Sequence, residues 1–295
     1  MSAIPDPAHA LTPSGNLRRR QLLSRIFVGG AILAAAIAVA VLLILVYYVF
    51  KHGISAISVG FVTKDLPNFN GVGGGIGPAL VGTFIMVLIA TLIALPVGVL
   101  TALCLSEFAG PRTNYVVRLM LDLMAGLPTI IAGVFVAALI TNQFGQSALA
   151  GGVALSIVEV PLIARASLES ISRVPETLRE AADALGVARW RSILGVVLPT
   201  ASNGIVTATI LAVARAAGET APILFTSALF TQALSLDPRH SIASVPLLIF
   251  QLLESGYPAA IDKAWGAAFV LMILILAANI GARIWLRRSE RKRGQ

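Results

Sequence analysis

Two opposite charges stand inside an apolar stretch of this 295-residue chain. Arg215 and Glu219 sit at positions i and i+4 of the run Ala214-Arg215-Ala216-Ala217-Gly218-Glu219-Thr220-Ala221-Pro222, a spacing that places both on one face of a helix. A charge in hydrocarbon costs roughly 2.5–3.5 kcal/mol even on permissive scales, so the pair must face a bundle interior or a water-filled path. The guanidinium is a planar fork that matches tetrahedral oxyanions such as phosphate or sulfate. Glu219 has two readings beside it. It holds Arg215 and keeps it from trapping the anion, or it accepts a hydrogen bond from protonated phosphate, which sulfate at neutral pH cannot donate. An ion pair that only packs helices, without touching cargo, is a third reading. Pro222 cannot donate to the carbonyl of Gly218 and its ring crowds that position. Gly218 tolerates the distortion, and the helix is expected to bend or open beside the charges, as at transporter sites near mid-membrane. Thr220, next to Glu219, joins the candidate pathway residues.

The elements that must position this pair are membrane spans. Hydrophobic residues make up 57% of the chain and charged residues only 12%, against about a quarter charged in soluble domains. Apolar runs long enough to cross a bilayer occur near 26–50, 77–105, 115–141, 145–171, 201–233 and 264–286. The reading is an all-α polytopic membrane bundle of six transmembrane helices. The first run follows Arg18-Arg19-Arg20 and Arg25. With no small-residue cleavage site just beyond it, it reads as a retained anchor rather than a signal peptide. With the N-terminus inside, Lys51, Lys64, Arg239 and Lys263 fall outside and Arg215 within a span. The rest of the 22 basic residues fall on the inner side, which places both termini in the cytoplasm. Residues 1–24 read as a disordered basic tail, 25–289 as the transmembrane domain and 290–295 as a second basic tail. The formal charge of +8 lies beside apolar runs, a distribution for anionic lipid and not for nucleic acid.

Residues 173–199, between the fourth and fifth runs, are polar. Pro175 suits a first helical turn, Glu176 and Glu180 favour its N-terminal dipole, and Gly186 can take the left-handed conformation that ends it. Ala181 and Ala182 are small enough for a partner surface to approach the backbone. A second helix is expected from Val187 to Leu198, ended by Pro199. Such an amphipathic knob can seat in a groove on another protein and pass on its motion as a rigid body. In the outer segment 234–263, Val245 to Leu253 is apolar but too short to span; a helix at the outer interface, a docking ridge and a packed loop helix all fit it.

Other groups are less informative. Gly71-Val72-Gly73-Gly74-Gly75-Ile76-Gly77 lacks the Lys-Ser/Thr of a phosphate-cradling loop and reads as a flexible lead-in to the second span. Cys104 is a lone thiol in an apolar run, suited to packing. His9, His52 and His240 lie in separate tails and loops and make no metal set. Arg118 and Asp122, at i and i+4, read as a pair that snorkels from the third span. Glu159, just before Pro161, lacks an obvious local partner and reads either as an inter-helix hydrogen bond or as a local oddity. With no nucleophile–base pair and no metal set, the chain does not read as an enzyme, and no cofactor is expected on it.

The pattern Glu180-Ala181-Ala182, Gly186, Val196, Leu198-Pro199 resembles the cytoplasmic coupling motif of ABC-importer permeases. Arg215 to Pro222 followed by Ile223-Leu224-Phe225-Thr226 is similar to the signature of phosphate-importer permeases of the PstA type. Gly126-Leu127-Pro128-Thr129-Ile130-Ile131-Ala132-Gly133, Gly77-Pro78-Ala79-Leu80-Val81-Gly82-Thr83 and Arg173 to Glu180 also resemble that family. The resemblance runs from about residue 71 onward. It implies a type I ABC-importer fold in a bacterial plasma (inner) membrane, and a phosphate import pathway that includes Arg215 and Glu219. It further implies a second related permease, two copies of an ATP-binding subunit that carry ATP and Mg²⁺, and an extracytoplasmic phosphate-binding protein. The rival readings are a permease for another oxyanion (sulfate, molybdate or phosphonate) and a non-transporting membrane subunit.

Overall fold

The computed structural model describes residues 15–68, 70–227 and 235–293, and among these there is no strand. Twelve α-helices follow in chain order: α1 (Gly15–Gly53), α2 (Val59–Thr63), α3 (Gly77–Leu103), α4 (Pro111–Gly126), α5 (Thr129–Val136), α6 (Asn142–Phe144), α7 (Ala148–Ser172), α8 (Glu176–Ala184), α9 (Arg189–Ser192), α10 (Leu198–Ala216), α11 (Val245–Glu254) and α12 (Pro258–Arg293). Wider π turns extend α3 over Cys104–Phe108, join α5 to α6 over Ala137–Thr141, and join α9 to α10 over Ile193–Val197. Among the described residues, five helical runs are long and apolar enough to cross a bilayer, and α4 with α5–α6, bent by 94°, makes a sixth when taken as one span.

The chain divides into two units, residues 1–51 and 52–295. In the first, α1 carries exposed apolar side chains on every face, the surface of a helix whose solvent is lipid. It begins at Gly15, so residues 15–24 are helical where the sequence reading expected a disordered tail. Leu17-Arg18-Arg19-Arg20-Gln21-Leu22-Leu23 consists of good helix formers without Gly or Pro, which continues the span into the basic segment. Residues 1–14 lie outside the described residues.

In the second unit α3 and α7 run side by side in the same direction. Met86 and Ala90 cluster with Leu155, Ala94 with Ile163, and Ala102 and Leu103 with Leu168 and Ile171. Helix α10 crosses them the other way, its Ala201 and Ile205 in the cluster of Leu168 and its Ala216 in that of Leu155. Small residues let these backbones approach: a Cβ on Gly152 would meet Ile89 Cγ2 at 2.6 Å, the packing that replaces a hydrophobic driving force inside lipid.

Two expected spans are not continuous helices. The third breaks at Leu127-Pro128, where proline excludes helical geometry for the residue before it and Leu127 is extended (φ −68°, ψ 137°). The fifth, expected over 201–233, stops being helical after Ala216 and continues as turns to Thr226. Residues 228–234 lie outside the described residues. Helix α11 is a packed loop helix, with Val245, Leu247, Leu248 and Leu252 buried and the Val245 N–H donating to Thr83 Oγ1 at 2.9 Å. The glycine-rich lead-in to α3 is fastened rather than free. Ile76 donates to the Phe61 carbonyl at 2.7 Å, and the Lys263 ammonium reaches the Gly73 carbonyl.

Candidate functional site

Arg215 is in the last turn of α10, where a cation complements the negative end of the helix dipole. Its Nε donates to Glu219 Oε1 at 3.2 Å, with the two side chains 55% and 17% exposed. The expected pair therefore forms, but across the end of a helix rather than along one. Gly218 and Glu219 donate to the Arg215 and Ala216 carbonyls at 3.0 and 3.1 Å, the i→i+3 pattern of a tightening terminus. Gly218 has no positive φ, so the opening needs no left-handed residue there. Pro222 is buried, and its carbonyl accepts the Thr226 hydroxyl at 3.0 Å.

Arg215 lines a cavity of about 240 Å³ whose other walls include Leu127, Pro128, Thr129, Phe135 and Leu162. Ile157 to Leu162 lie midway along α7 (Ala148–Ser172), so the cation sits at mid-depth of the bundle although its own helix ends there. The break in the third span supplies the opposite wall. Helix α5 starts at Thr129 without a side-chain cap, and Thr129 lines the cavity, so the positive end of that helix dipole lies beside it. Glu219 and Thr220 do not line it; the contact of Glu219 with the site is its ion pair with Arg215. Thr220 is half-buried and offers its carbonyl to the Leu224 N–H at 3.1 Å.

The segment from Glu180 to Pro199 folds as expected in its first half. The Val187 N–H donates to the Ala182 carbonyl at 3.1 Å, and the N–H of Gly186 (φ +67°) to the Asp183 carbonyl at 2.9 Å. This is the paired capping that a left-handed glycine permits. Glu180 and Ala181 are exposed, whereas Ala182 is buried against its own chain, so of the two small residues only Ala181 is open to a partner. Leu185 and Trp190 project at 81% and 59% exposure. The second half differs from expectation: Pro199 does not end a helix. The helical run continues from Arg189 to Ala216, and Pro199 is passed directly after the π turn Ile193–Val197, whose wider winding accommodates the missing donor.

Residues 94–295 match the family described as the binding-protein-dependent transport system inner membrane component. The chain belongs to this family. A phosphate transport system permease protein, PstA 1, of Mycobacterium tuberculosis is 38% identical over 223 residues, covering 75% of this chain and 73% of that protein. The PstA of Haemophilus influenzae is 33% identical over 273 residues, covering 92% and 96%. The crystal structure of a bacterial alginate ABC transporter in complex with its pentasaccharide-bound periplasmic protein contains a chain of the same fold. Its TM-score is 0.59 at 16% identity, over 92% of this chain and 96% of that one. The resemblance read from the sequence is borne out, and the molecule is a transporter permease subunit.

Of three charged contacts of this inner membrane component, one differs from the sequence reading, one agrees with it and one escaped it. Asp122 pairs with Arg165 of α7, not with Arg118, and Arg118 Nε donates instead to Asn114 Oδ1 at 2.5 Å. Helix α7 crosses α4 at this level and brings a nearer cation than the one a turn away. Glu159, 1% exposed, finds an inter-helix partner in Thr91 of α3, whose hydroxyl donates to Oε2 at 3.4 Å. Glu107 was missed altogether. At the π end of α3 its carboxylate meets Arg179 of α8 at 3.2 Å, and its carbonyl accepts from Arg189, whose guanidinium also lies 5.2 Å above the Phe108 ring. The available signal was an acid closing the apolar run of the second span, in Leu105-Ser106-Glu107-Phe108.

Proposed function

We propose that this permease subunit forms half of the transmembrane pathway of an ATP-driven importer of inorganic phosphate. The observation that carries the reading is Arg215 in the wall of a mid-depth cavity, restrained by Glu219 and facing the uncapped start of α5. Two sources of positive potential attract an anion there, and the carboxylate offsets enough of that charge to keep the well shallow. A shallow well allows release, which conduction requires. Phosphate is favoured over sulfate, molybdate or phosphonate because the curated relatives above carry phosphate transport in their names.

The α8 end, with the chain termini, faces the cytoplasm of a bacterial plasma membrane, in line with the excess of Arg and Lys on that side. There the exposed Glu180, Leu185 and Trp190 dock a separate ATPase, present in two copies, which holds ATP and Mg²⁺. A second related permease completes the pathway, and an outer phosphate-binding protein delivers the anion. Closure of the ATPases displaces the α8–α9 turn, and the spans alternate between outward and inward openings around Arg215.

The test is uptake of labelled phosphate in cells lacking other phosphate carriers. Arg215→Ala is expected to abolish high-affinity uptake while the protein inserts at normal levels. Undiminished uptake would sink the pathway assignment, and uptake of another oxyanion in place of phosphate would reassign the cargo.

A further inference from the structure

We infer that the Glu107–Arg179 ion pair is the linkage that carries displacement of the α8–α9 turn into α3, and so to the Arg215 site; this rests on the import function proposed above. Arg179 is held unusually fully for a loop cation. Its Nη1 donates to the Val174 carbonyl at 2.9 Å and to Glu176 Oε2 at 3.1 Å, and its Nη2 to Glu107 Oε1 and the Ile171 carbonyl at 3.2 Å each. Side-chain exposure is 17% for Arg179 and 7% for Glu107. A guanidinium fork with its donors engaged moves as part of the backbone that holds it.

The two partners are 72 residues apart in sequence. Helix α8 is tied to α7 and α10 by chain continuity, whereas α3 has no covalent link to it nearby. Glu107 supplies a non-covalent tie instead, through its carboxylate to Arg179 and through its carbonyl to Arg189. Beneath the pair, Leu103 and Leu105 of the α3 end cluster with Ile171, Val174, Ile193 and Val197, so the polar clamp is seated on an apolar footing.

Helix α3 then reaches the site. Its Met86, Val87 and Ala90 cluster with Ala216 and Ile223, which bracket the stretch from the end of α10 to the turns after Glu219. From Glu107 to Ala90 is about 25 Å of helix at 1.5 Å per residue. Helix α3, unbroken through Pro96 and ending in the π turn that holds Glu107, thus joins the clamp at one end to the backbone beside Arg215 at the other. Glu107 and Arg179 are positioning residues: they touch neither anion nor nucleotide.

The experiment measures phosphate moved per ATP hydrolysed by the full complex reconstituted in vesicles. Glu107→Gln keeps the shape and removes the charge. It is expected to leave the ATPase subunit co-purifying and to lower the transport-to-hydrolysis ratio at least fivefold. In a Cys104→Ala background, Glu107→Cys with Arg179→Cys should be equally uncoupled. Bridging the two thiols with a bifunctional thiosulfonate reagent should return the ratio to within twofold of wild type, and reduction should abolish it again. An unchanged ratio in Glu107→Gln, loss of the ATPase from that variant, or bridging without recovery would each overturn the inference. If the wild-type complex moves a different oxyanion, the cargo assignment fails while the same ratio, measured with that anion, still tests the linkage.

Discussion

The carbonyl of Pro222 occupies the space that a side chain on Gly133 would need. A Cβ at Gly133 would lie 2.5 Å from that oxygen and 2.9 Å from the Pro222 Cα. The broken third span and the unwound end of the fifth are therefore in backbone contact just past the Arg215 cavity, and both partners of the contact are backbone that cannot rotate out of the way.

Gly133→Ala is accordingly expected to be an overpacking lesion, costing about 1–3 kcal/mol and lowering phosphate uptake at least tenfold. A thermal melt of the detergent-solubilised complex and an uptake assay read the two effects. A variant with wild-type melting and wild-type uptake would show that the contact opens freely.

Glu219→Gln removes the charge that restrains Arg215 but keeps an acceptor. Weaker discrimination against sulfate is expected, by about tenfold in competition for labelled phosphate uptake, if Glu219 turns from Arg215 into the cavity, which it does not line in this structure, to accept from protonated phosphate; that charge-assisted hydrogen bond then becomes a neutral one. Unchanged discrimination would leave Glu219 only the task of holding Arg215.

The α8–α9 turn depends on the left-handed Gly186 and on the N–H it donates to Asp183. Gly186→Pro forbids the first and deletes the second, and Glu180→Lys reverses an exposed charge. Both should abolish capture of the ATPase subunit in detergent pull-downs. Retained capture would move the docking surface away from this turn.

Thr91 and Glu159 form a contact between α3 and α7 that a double-mutant cycle isolates. Thr91→Val leaves a buried carboxyl without its hydroxyl donor and should cost about 1–3 kcal/mol. In a Glu159→Met background the same change should cost well under half as much. Equal costs in the two backgrounds would place the lesion in packing instead.

What was legible in the sequence follows from range. Arg215 and Glu219 stand out because charge in an apolar run is conspicuous and their spacing is local. Gly186 is legible for the same reason, since its turn closes within five residues. The break at Leu127-Pro128 was in plain view as an X-Pro step, but hydropathy averages over it and the apolar run reads as one span. The Asp122–Arg165 and Glu107–Arg179 pairs are set by how α4, α3 and α8 lie against α7. No periodicity within one helix encodes that. Pro199 misled because a proline need not end a helix: Pro96 and Pro161 lie inside α3 and α7, and Pro199 follows a π turn within a run that continues to Ala216.

The π turns at Cys104–Phe108 and Ile193–Val197 close α3 and open α10 beside the same α8–α9 turn. A π turn holds one residue more than an α turn. Winding that residue back into the helix turns everything beyond it by about 100° and advances it by about 1.5 Å. The two spans thus meet the turn through screw threads rather than plain shafts, and a short push at this end can be delivered at mid-depth as a rotation of the face that carries Arg215.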